Sequence, residues 1–128
     1  QRLADIVRNG ERLQRHLAGH DQGTFVDDEQ AIDSVERCFE RIAEAGVKIT
    51  NSDTRVLTYV DVEELQALRQ FGNKLRHAYE VIAPDQLWVH ATRELPELLQ
   101  AARAELTALD AEADTGDGSG SSGPPPQS

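Results

Sequence analysis

Asp28-Glu-Gln-Ala-Ile-Asp-Ser-Val-Glu-Arg-Cys-Phe-Glu-Arg-Ile-Ala-Glu-Ala-Gly46 sets the fold class more firmly than any other part of the chain. Ala31, Ile32, Val35, Cys38, Phe39, Ile42 and Ala43 return at intervals of three and four residues. That is the spacing of one buried stripe on an α-helix, and a half-buried strand would alternate every second residue instead. Asp27 or Asp28 can cap the start, and Gly46 marks the expected end. Cys38 lies inside the stripe and reads as a buried, inert thiol. As the lone cysteine it rules out an internal disulfide framework, which fits a reducing cytosol.

The flanking segments repeat the pattern. Leu3, Ile6, Val7, Leu13 and Leu17 predict a helix over about residues 1–18, stopped by Gly19, with a loop over 19–23. Residues 50–53 carry a turn signal, Thr-Asn-Ser-Asp. Arg55 to Val60 is β-branched, but no second strand is available to pair with it, so an extended loop is expected. A third helix begins at Asp61, where Glu64 three residues on makes a capping-box variant. Its stripe is Leu65, Leu68, Leu75, Tyr79 and Ile82, and Pro84 ends it. The fourth helix covers about residues 85–109, with Leu87, Trp88, Ala91, Leu95, Leu98, Leu99, Ala102 and Leu106 on one side. Pro96 must kink it or split it, because proline removes a backbone donor. The expected architecture is all-α: an up-and-down bundle of four to five helices over residues 1–110. A Gly/Ser/Pro tail over 111–128 has little to bury and is expected to be disordered.

Composition narrows the function. The 128 residues suit one domain. No window approaches the roughly 18 consecutive apolar residues of a membrane span, and no secretory signal is visible. A cytoplasmic protein is expected. The formal charge is −10; setting aside the tail acids Glu112, Asp114 and Asp117 leaves thirteen Lys and Arg against twenty Asp and Glu, or −7. So acidic a chain is a poor non-specific RNA binder at long range. The exception is local: Arg69, Lys74 and Arg76 fall within nine residues that contain no acid.

That exception lies in Leu68-Arg-Gln-Phe-Gly-Asn-Lys-Leu-Arg-His-Ala-Tyr79. At about 100° per residue, Leu68, Leu75 and Tyr79 fall on the buried side. His77 points away from them with Asn73 and Gln70, and Arg69 flanks the same face. A face of imidazole, amide and guanidinium suits binding, although a solvated helix surface with one histidine has the same pattern. His16 and His20, one turn apart, are two ligands and not a zinc site; a surface pair is expected. His90 reads as packed or surface. Asp27/Asp28 and Glu63/Glu64 oppose helix dipoles at helix starts. There is no Gly-rich phosphate loop, CxxC or nucleophilic Ser/His/Asp pattern, so no metal and no cofactor are expected.

Gly72-Asn-Lys-Leu-Arg-His-Ala-Tyr79 resembles the signature of HEPN proteins of the HepT-like type, in which Arg, usually Asn, a few residues, His, any residue and Tyr follow in order. LADIVRNGERLQRHL resembles the opening helix of that family. DDEQAIDSVERCFERIAEAGVKI, with its Glu44-Ala45 pair, resembles the second helix, and Leu87-Trp88 and Leu95-Pro96 resemble the last. The resemblance covers about residues 2–108. It implies a homodimeric, metal-independent endoribonuclease, the toxin of a type VII toxin–antitoxin system. Its partner would be a nucleotidyltransferase antitoxin that AMPylates the motif tyrosine. By position, His77 would be the acid–base group, Asn73 its polar neighbour and Tyr79 the modified residue.

The resemblance departs at one place: the arginine expected five residues before His77 is Gly72. Arg69 can substitute from one turn upstream, or Lys74 and Arg76 can contact the RNA phosphates in its place. Otherwise the chain is a catalytically silent HEPN dimer that serves as binding partner and AMPylation target of the nucleotidyltransferase. A glycine on the buried flank would also permit close helix approach.

Overall fold

A computed structural model describes residues 2–52, 57–76 and 82–120, with side chains for 2–49, 57–75 and 82–112. These residues form an all-α arrangement with no strand among them. In chain order the elements are α1 (Arg2–Leu17), α2 (Gln22–Val26), α3 (Glu29–Ser52), α4 (Val62–Arg76) and α5 (Pro84–Val89), then a π-helical turn (His90–Glu94) and α6 (Leu95–Gly120). No described helix is long and apolar enough to cross a membrane.

α3 is the spine, with α1 against one side and α4 against the other, and α6 closes over α1. Val35, Phe39, Ile42 and Ile49 of α3 meet Leu3, Ile6 and Leu13 of α1 and Leu65 of α4 in one core. Cys38 is buried in it, and desolvation pushes its thiol above the usual range despite Arg12, Arg41 and Arg15 nearby.

The helix starts follow the local chemistry. Asp28 Oδ1 accepts from the Ala31 amide at 3.0 Å to open α3, and Asp61 Oδ1 accepts from the Glu63 amide at 2.9 Å to open α4. α1 ends where Gly19 turns to φ +85°, a left-handed conformation that favours glycine.

Three boundaries differ from expectation: α2, the end of α3 and the end of α6. Asp21 and Thr24 form a reciprocal capping box, so residues 22–26 make a short helix where a loop was expected. Its Phe25 is buried against Trp88, ring centroids 5.4 Å apart, and ties α2 to α5. Gly46 does not end α3, which continues to Ser52. It is buried because α4 lies against it: a Cβ there would stand 3.3 Å from Leu65 Cδ2. Pro84 opens α5 at its first turn, where its missing N–H costs nothing. Pro96 produces the split as a π turn: the Leu95 amide reaches back to the His90 carbonyl, and the Thr92 hydroxyl donates to the Trp88 carbonyl at 2.8 Å. α6 extends past Leu109 to Gly120, into residues whose composition reads as tail; 121–128 lie outside the described residues.

The expected extended loop before α4 is fastened by a residue the sequence reading passed over. Glu105 of α6, 3% exposed, accepts three consecutive backbone amides: Thr58 on both oxygens at 3.1 and 3.2 Å, Tyr59 at 2.8 Å and Val60 at 3.2 Å. A buried carboxylate is stable only when so satisfied. Glu105→Ala leaves these donors without their acceptor and is expected to cost about 3 kcal/mol of unfolding free energy, with Glu105→Gln costing less. Urea denaturation measures both; a loss within error for Glu105→Ala would show that water replaces the carboxylate.

Candidate functional site

α4 carries the polar segment. Leu65, Leu68, Gly72 and Leu75 form its covered side, with Leu65 and Gly72 buried outright. Arg69, Gln70 and Asn73 are exposed, as the helical spacing predicts, and Lys74 is exposed as well. No described residue pairs with Arg69 or Lys74. Arg69 and Asn73 are one turn apart on a single stripe. Lys74, however, lies about 140° around the helix from Arg69. The basic cluster that is compact in sequence is therefore divided between two flanks. His77 and Tyr79 lie outside the described residues, as does the side chain of Arg76.

Gly72 projects from the covered side with Leu68 and Leu75, not from the stripe of Arg69 and Asn73. This accords with the packing role that a glycine can take there.

The other histidines fall into place as structural groups. His16 is exposed. His20 turns inward, with Nε2 3.4 Å from Asp28 Oδ2 and Nδ1 3.1 Å from Thr24 Oγ1, so the two do not act as a pair. His90 is partly exposed; its Nδ1 is 2.6 Å from Glu94 Oε1, and its ring packs 4.4 Å from that of Phe71. Among the described residues no group of three or more His, Cys, Asp or Glu converges to hold a metal ion.

Two carboxyls are held above their usual range. Glu64 is raised by burial, then by Asp61, Glu97 and Glu94, and is partly offset by the Asp61 amide. Glu36 is raised by burial and by Asp33 and Glu40 on the same helix.

The chain is thus an all-α domain whose α4 carries an exposed polar stripe. A family model described as ribonuclease HepT-like matches residues 6–105, and the chain belongs to that family. No curated protein and no solved structure matches it. The match runs from Ile6 in the core of α1 to Glu105, the residue that fastens the loop before α4.

The raised carboxyl of Glu64 gives a signed expectation. Its folded-state pKa exceeds the ordinary 4.5, so the fold holds that proton more tightly than the unfolded chain does. Its contribution favours folding below 4.5 and is lost as pH rises through the folded value. Glu64→Gln keeps a capping-box side chain and removes the charge. Its melting temperature should exceed that of the parent at neutral pH, with the gap closing well below pH 4.5. A gap that widens in acid would mean that an attractive partner dominates Glu64.

Proposed function

We propose that this chain is the toxin of a type VII toxin–antitoxin system: a cytoplasmic, homodimeric, metal-independent endoribonuclease. The observation that carries the reading is the stripe on α4, where exposed Arg69 and Asn73 stand one turn apart, with no described acid paired to the guanidinium, just before His77. Membership of the HepT-like ribonuclease family supports it.

In this reading two copies of His77 share one cleft. One takes the proton of a ribose 2′-hydroxyl as its oxygen attacks phosphorus. The bond from phosphorus to the 5′-oxygen breaks, and the partner's His77 protonates that leaving oxygen. A 2′,3′-cyclic phosphate and a 5′-hydroxyl remain. Histidine titrates near neutrality, so one residue type can serve both roles. Arg69 replaces the arginine absent at Gly72 and stabilises the charge on the pentacoordinate phosphorus, with Asn73 beside it. Arg76 and Lys74 contact RNA phosphates, Lys74 from the opposite flank. DNA, lacking the 2′-hydroxyl, is inert. Tyr79 is the AMPylation target of a nucleotidyltransferase antitoxin.

The buried position of Gly72 favours a second reading, a catalytically silent HEPN dimer retained as binding partner and AMPylation target of that nucleotidyltransferase. Cleavage of single-stranded RNA in EDTA separates the two. The first reading expects cleavage that is abolished in His77→Ala, reduced about 100-fold in Arg69→Ala, and absent on DNA of the same sequence. No cleavage by a folded native chain, with Tyr79 still AMPylated by the enzyme and ATP, would establish the second.

A further inference from the structure

Between α4 and the segment from His90 to Leu98 lies a cavity of about 330 Å³. Its floor is apolar: Phe39 from α3, Leu68 and Phe71 from α4, and Leu95 and Leu98 from α6. Phe71 meets Phe39 edge-on, ring centroids 5.1 Å apart, and the His90 ring lies tilted 4.4 Å from it. The rim is acidic, with Glu64 from α4 facing Glu94 and Glu97 across the opening. His90 holds Glu94, but no described lysine or arginine pairs with Glu64 or Glu97. Burial raises the Glu64 carboxyl first, and the neighbouring charges of Asp61, Glu97 and Glu94 add to it.

An apolar floor alone would accept many occupants. The rim is selective: like charges gathered over a low-dielectric floor attract cations and oppose the phosphates of RNA. The volume admits one large apolar side chain, near the lower end of ligand-pocket sizes. The groove exposes about two turns of α4, from Glu64 to Phe71, enough for a short segment and not a long helix. We infer that this groove is a docking site for a short basic segment of a protein partner, which inserts one aromatic or large aliphatic side chain over Phe71 and sets flanking Lys or Arg against Glu64, Glu94 and Glu97. The inference stands apart from the ribonuclease reading, since its test reads binding and not cleavage.

The test is an amide NMR titration of the full chain with N-acetyl-lysyl-phenylalanyl-arginine amide, beside the glutamyl-phenylalanyl-glutamyl analogue. Docking expects saturable shifts confined to the amides of 64–71 and 90–98, and affinity about tenfold weaker for the acidic analogue. It also expects weakening as salt is raised, because the contacts at the rim are solvent-exposed. Glu64→Gln should bind the basic peptide several-fold more weakly while melting no lower than the parent, so that loss of binding is not loss of fold. Equal response to both peptides, shifts scattered over the surface, or a silent groove would overturn the inference. So would groove amides that move when the free protein is diluted, because a second copy would then be the occupant.

Discussion

The arrangement of α4 depends on one buried charge. The Glu105 carboxyl accepts from three backbone amides that converge on it, those of Thr58, Tyr59 and Val60. Burying an ion is costly, and convergent donors make it tolerable. The donors belong to the last turn of chain before α4, so the carboxylate fixes where α4 begins relative to α6. Val60, 3% exposed, then enters the core immediately before Asp61 caps the helix. An apolar residue at position 105 would leave the loop amides to find water. The fold accepts the desolvation of one carboxylate in return for a fixed start to α4.

The placement has a geometric result. α3 lies against α4 along Gly46 and Phe39, while α6 stands off from α4 and is bridged by side chains over a cavity. The π turn contributes to this separation. Pro96 cannot donate, so the ladder slips by one residue at His90–Glu94, which widens the helix where it faces α4. That places His90 beside Phe71 and Glu94 at the rim of the cavity. A proline read in sequence as a break thus shapes the wall of a groove.

Much of the fold was legible because it is written locally. The stripe of α3 and the capping residues Asp28 and Asp61 are all signals within a few residues of what they specify. The failures have a different character. Gly46 carries the signal of a helix end, yet its role is set by Leu65, nineteen positions on. α2 is five residues long, too short for any periodicity, and only the Asp21–Thr24 box announces it. Glu105 interrupts an apolar stripe between Ala102 and Leu109, which was a usable signal; its partners, 45 to 47 positions away, could not be read from it. For the site, exposure of Arg69, Gln70 and Asn73 followed from spacing alone. The compactness of the basic cluster did not, because proximity in sequence on a helix is not proximity in space.

The division of charge around α4 bears on how so acidic a chain can meet RNA. Net repulsion at −10 slows non-specific approach, so any productive contact must be short-ranged and local. In the proposed reading, α4 meets that requirement by separating its charges. Arg69 and Asn73 occupy a stripe nearly opposite Phe71, while Glu64 and the carboxylates of α6 surround Phe71 itself. The acids therefore lie on the flank away from the guanidinium, where they neither pair with it nor shield it. Glu64, Glu94 and Glu97 on the Arg69 stripe would cancel its field; behind the helix they leave it available and make the opposite flank attractive to cations. One helix can thus offer an anion-seeking face and a cation-seeking groove without the two neutralising each other. A polynucleotide on one side and a basic protein segment on the other would then not compete for the same charges.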